Sequence, residues 1–148
     1  MKIFLLLGVV LTILSGCATT PVSINDAKQV PADRLLAFQT AGADKTAILT
    51  VIRDEGFLGS GCYYGLWINK TLAARVDVAE YAKFYVEPGE TLLRIGRDPQ
   101  GKGLCAVDQD NWTQRETILK AGVPKTFRMS IDVNGKVDIS RADTDLNK

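Results

Sequence analysis

Between Lys45 and Ser140 short apolar runs alternate with turn residues. Thr126–Val133 shows the pattern best: Phe127, Met129, Ile131 and Val133 share one face, and Arg128, Ser130 and Asp132 share the other. A period of two marks a half-buried strand. Asn134-Gly135 follows as a tight hairpin turn, with Lys136–Ser140 as the return strand. Six further strands are predicted upstream: Thr46–Arg53, Cys62–Ile68, Leu72–Val76, Glu80–Val86, Thr91–Arg97 and Thr113–Leu119. The breaks between them carry turn chemistry: glycines at 56, 59 and 61, then Asn69-Lys70, Pro88-Gly89 and Ala121-Gly122. Asp98–Asn111 reads as one long loop. Such spacing leaves no room for helical crossovers, so the chain is expected to be all-β, an antiparallel sandwich or small barrel of about seven to eight strands. Ala18 to about Ala32 is polar, holds Pro21 and Pro31, and reads as a linker. Pro31–Thr40 carries the start signals of a short helix, with Asp33 in its first turn and Leu35, Leu36 and Phe38 as an apolar patch.

The first sixteen residues follow another logic. Lys2 precedes the apolar run Ile3–Ile13, and Leu14-Ser15-Gly16-Cys17 follows it. A charged start, a short apolar stretch and a small-residue site make a signal peptide, too short to span a bilayer. Leu14–Cys17 resembles the lipobox of bacterial lipoproteins. That resemblance implies cleavage before Cys17 and lipidation of its sulfur; an ordinary secretory signal with an incidental cysteine is the alternative. Two or more fatty chains hold a protein firmly to a membrane. In a diderm bacterium the same resemblance implies, from Ala18 in place of an inner-membrane-retaining aspartate, an outer-membrane anchor and a domain facing the periplasm. The expected division is a signal peptide over 1–16, a lipidated tether over 17–44, a sandwich domain over 45–142 and a polar tail over 143–148.

Charge narrows the function. The chain has 18 Lys+Arg, 17 Asp+Glu and no histidine. Cleavage removes only Lys2, which leaves the mature side chains balanced. Neutrality argues against nucleic-acid binding, and the missing histidine removes the commonest general base and metal ligand. Apart from Cys17 the cysteines are Cys62 and Cys105. In an oxidising compartment an even remainder suggests one disulfide, with two buried thiols as the alternative. Closing that loop is worth about 4 kcal/mol on the loop-entropy model. Two cysteines without histidine cannot complete a zinc site, and no metal or other cofactor is expected.

Segment order from Lys45 to Ala142 also resembles a family of small bacterial lipoproteins with a domain of unknown function. The pieces that match are Thr46–Arg53, Tyr64–Asn69 leading into Leu72–Ala74, Phe84–Glu90 with its Pro-Gly corner, and Leu119–Gly122 before Thr126–Arg128. The resemblance implies a transthyretin-like, or carboxypeptidase-regulatory-like, β-sandwich. It carries no catalytic residues.

Candidate chemistry is sparse. Gly59-Ser60-Gly61 lacks the flanking glycines of a nucleophile elbow and has no histidine to activate it. Asp108, Asp110 and Asn111 lack the spacing of a calcium loop. Asn69-Lys70-Thr71 and Asn111-Trp112-Thr113 match the glycosylation sequon, but Asn69 reads better as a turn residue. A glycosidase using Asp98, Asp108 or Glu116 would need two of these carboxylates across a cleft. The aromatic residues Tyr63, Trp67 and Trp112 are the candidate partner-binding residues, since exposed aromatics beside a loop suit binding. The sequence therefore points to a non-enzymatic module anchored through Cys17 that binds an envelope protein. A periplasmic inhibitor of the lysozyme type, or a glycan-binding module, is the alternative.

Overall fold

The computed structural model describes residues 18–142; the expected signal peptide over 1–16, Cys17 and the expected polar tail over 143–148 lie outside the described residues. Among the described residues nine strands form two sheets: β1 (Lys28–Gln29), β2 (Ala47–Arg53), β3 (Tyr64–Ile68), β4 (Thr71–Val76), β5 (Glu80–Val86), β6 (Gly89–Arg97), β7 (Trp112–Leu119), β8 (Lys125–Ile131) and β9 (Val137–Arg141). One sheet has the order β1-β5-β2-β8-β9, the other β4-β3-β6-β7. Pairing is antiparallel except at β1–β5 and β2–β8. All eight expected strands form, and the protein is an all-β, two-sheet fold.

The core lies between the sheets because alternate residues point inward. Leu49 and Val51 of β2, Leu66 and Ile68 of β3, Phe84 of β5, Leu93 and Ile95 of β6, and Met129 and Ile139 of β8 and β9 belong to one buried cluster. Ile52 is also fully buried but sits outside that cluster. β2 is therefore covered on both faces, which is why Leu49–Ile52 reads as a nearly continuous apolar run rather than an alternation.

What covers Ile52's face is the stretch expected to be a linker. The Thr19 amide donates to the Ile131 carbonyl at 3.0 Å, and Thr20 bridges Glu55. Val22 is buried, and its carbonyl accepts from Arg128. β1 then adds to the edge of β5. Beyond it Leu36 and Ala37 donate to the Ala73 carbonyl, and the Phe38 carbonyl accepts from Tyr85. The segment thus closes the open edges of β5 and β4, where unpaired backbone would otherwise face solvent. No helix forms over 31–40. Ala32–Arg34 makes a single 3-10 turn, because Leu35, Leu36 and Ala37 turn their backbone to β4 instead. Leu35 and Phe38 pack on the core while Leu36 stays exposed.

Two buried ion pairs lock this covering segment. Arg34 forms a bidentate pair with Glu80 at 2.6 and 2.7 Å, and that hydrogen bonding raises its pKa. Arg128 pairs with Asp54 beside Val22. Burial pushes the Asp54 carboxyl above its ordinary range, and Arg128 opposes the shift.

The β8–β9 turn differs from its expected form. β8 stops at Ile131, and Val133 is exposed rather than on the core face. The Asp132 carboxylate accepts from the amides of Asn134 and Lys136. That side-chain acceptor starts the turn at Asp132 and draws Val133 out of the ladder.

Candidate functional site

The strands define two ends. Where β2 and β8 finish, the chain makes the loops 54–63, 98–111 and 132–136; we call this the upper end. Cys62 and Cys105 join the first two of these loops through a disulfide, with Cα atoms 5.4 Å apart. Arg53 fastens the same region from beneath. Its buried guanidinium donates to the carbonyls of Gly59, Cys62 and Val76 at 2.7–2.8 Å and lies 4.5 Å from the Tyr64 ring centroid. It forms no ion pair among the described residues, and burial pushes its pKa down to about 10 against the opposing charges of Tyr64, Asp77 and Glu80.

Trp67 and Trp112 lie on the outer face of β4-β3-β6-β7, Trp67 set there by alternation against inward Tyr64, Leu66 and Ile68. Register then decides their neighbours. Trp67 is directly opposite Arg94, and Trp112 is opposite Gly96 on the next strand. The Arg94 guanidinium consequently lies between two indoles, 5.3 Å from Trp67 and 4.3 Å from Trp112. Two glycines make the space. A Cβ on Gly65 would fall 2.5 Å from the Trp67 ring, and one on Gly96 would fall 2.8 Å from the Trp112 Cβ.

Arg94 has no carboxylate. None of the ion pairs among the described residues includes it, and its Nε is buried without a hydrogen-bond partner. Buried donors are normally satisfied, and an unpaired one needs an explanation. Trp67 is half-buried and Trp112 is 42% exposed, so the stack is accessible from one side.

Tyr63 belongs to a neighbouring arrangement. Its ring lies 4.3 Å from the Arg34 guanidinium and 5.2 Å from that of Arg75. Both arginines already hold carboxylates: Arg34 holds Glu80, and Arg75 holds Asp98 at 2.6 Å. Hydrogen bonding to Asp98 raises the Arg75 pKa. The structure therefore brings Trp67 and Trp112 together and places Tyr63 in a separate, internally neutralised cluster.

Arg94 did not stand out in the sequence as a functional residue. Alternation puts it on the polar face of β6, but nothing local reveals that its cross-strand neighbours are two tryptophans.

The remaining candidates have plain structural settings. The Asn111 amide donates to Asp108 at 3.2 Å and to the Gly135 carbonyl at 2.9 Å, tying the long loop to the β8–β9 turn. No group of three or more Cys, Asp or Glu that could hold a metal occurs among the described residues. Glu116 lies opposite Leu92, six residues along the strand from Asp98. At 3.4 Å per residue the two carboxylates are about 20 Å apart, beyond the separation that glycosidase chemistry uses. Asn69 takes a left-handed conformation in the β3–β4 turn and accepts from the Leu92 amide. Comparison with protein-family models, curated proteins and solved structures returns no match for the chain.

Proposed function

We propose that this protein is a lipid-anchored envelope module of transthyretin-like build, tethered through Cys17 to the outer membrane, that binds a protein partner through Trp67, Arg94 and Trp112. The strand order β5-β2-β8-β9 facing β4-β3-β6-β7, with β2 and β8 parallel, supports the transthyretin-like reading. The lipobox resemblance at Leu14–Cys17 supports the anchor.

One observation carries the binding face: a guanidinium stacked between two indoles without a carboxylate of its own. Stacked arginine keeps its outward N–H groups available as a fork that fits a carboxylate. Arginine and tryptophan are also the residues that dominate binding energy at protein interfaces. The fitting partner presents an acidic side chain within an apolar surround.

Crosslinking in living cells tests this, with mass spectrometry of what is attached to the wild type and to the Arg94→Ala variant. A dominant envelope protein captured by the wild type and lost with Arg94→Ala is the expected result. Capture that survives the substitution removes the face from the reading. Attachment to peptidoglycan alone moves glycan binding or lysozyme-type inhibition to the front.

A further inference from the structure

The upper end of the sandwich carries most of the exposed apolar surface. Phe57 and Leu104 are each 85% exposed, and Val107 and Val133 are more than half exposed. They come from three different loops, 54–63, 98–111 and 132–136, and all three loops lie at this end. Trp112, the first residue of β7, adjoins them. Such residues normally scatter singly over a surface; here three loops at one end of the fold carry four of them. The disulfide and the Asn111 hydrogen bond to Gly135 hold the three loops together.

The chain's route to Cys17 starts from the same end. Thr19 is hydrogen-bonded to Ile131, where β8 finishes, and Thr20 to Glu55, just past β2. Gly56, next to Phe57, lies against Thr19, close enough that a Cβ there would be 3.0 Å from the Thr19 Cα. Two residues of fully extended chain span at most about 7 Å. Cys17 is therefore within that distance of the folded domain. The opposite end, where Ala142 leaves beside Thr126, shows two exposed large apolar residues among the described residues, Val123 in a connecting turn and Ile118 beside the end of β7.

We propose that the upper end docks on the bilayer surface, with Phe57, Leu104, Val107 and Val133 entering the headgroup boundary. This rests on the reading of Cys17 as lipidated. The expected linker cannot lift the domain away, because its first residues are already part of the fold. Apolar side chains gain by entering the interface to a depth of about 5–10 Å, and a lipid at Cys17 would hold them at that depth. Charge does not drive the contact. Glu55, Asp108, Asp110 and Asp132 are exposed at this end against Lys102 and Lys136, so a zwitterionic surface suits it better than an anionic one.

The test uses the full lipidated protein in phosphatidylcholine vesicles whose acyl chains are brominated near the headgroup end. Two variants are compared in a Trp67→Phe, Trp112→Phe background: Leu104→Trp at the upper end and Val123→Trp at the other. Mass spectrometry of the mature chain first establishes the modification of Cys17. The expected result is strong quenching and a blue-shifted emission for Leu104→Trp, with Val123→Trp unquenched. Lipidated Cys17 with both tryptophans unquenched overturns the docking while leaving the anchor standing. An unmodified Cys17 overturns both.

Discussion

The five-stranded sheet hides part of its outer face under the chain's own N-terminal segment, while the four-stranded sheet leaves Trp67, Arg94 and Trp112 partly exposed on its outer face. Both faces carry an outward arginine at the middle of a strand. On the covered face Arg128 is paired with Asp54 and roofed by Val22. On the open face Arg94 has aromatic neighbours in place of a carboxylate, and it forms no ion pair among the described residues. A buried charge without a partner is costly, so the covered face had to supply its own counter-charge. The open face, being in contact with solvent, can leave a guanidinium free for another molecule. The difference separates a surface that holds the fold together from one that is available for binding.

The sharpest way to break the comparison is to remove the counter-charge on the covered face. Asp54→Ala leaves Arg128 buried and unpaired and is expected to cost about 3–5 kcal/mol, read as a lower urea midpoint. A loss below about 1 kcal/mol would show that the N-terminal cover is loose enough to admit water.

Thinning the cover itself gives the next effect. Val22→Ala removes two buried methyl groups and should cost about 1.5 kcal/mol at about 0.8 kcal/mol per group. Hydrogen exchange at the amides of Thr20 and Val30 should speed up with it, since both lie on the same segment.

The open face should respond least. Arg94→Ala is expected to change stability by about 1 kcal/mol or less, the range for an exposed cation–π contact and a surface substitution, while abolishing partner capture. A large loss of stability would mark the Trp67–Arg94–Trp112 stack as structural instead.

Particular residues show where sequence reading stops. The alternation through Phe127, Met129 and Ile131 places them inward, and the structure keeps them there, because a period of two has only one way to bury its apolar half. The pairing of Cys62 with Cys105 matches the expectation from an even number of cysteines besides Cys17. Val133 escaped the pattern, since the Asp132 carboxylate competed with the ladder for backbone donors. The N-terminal stretch was illegible for a different reason. Val22 and Val30 are single apolar residues in a polar run, without a period to announce that a sheet face awaits them.

By itself the sequence determined the strand set, most of the turns and the inward face of most strands, because each depends on neighbours within a few residues. Tertiary structure alone decided that residues 19–38 belong to the fold. Only the register of β3, β6 and β7 puts Arg94 between Trp67 and Trp112, and only the fold brings three loops to the end where residue 18 departs. These depend on how strands far apart in the chain are placed side by side, and a sequence carries no local signal for that.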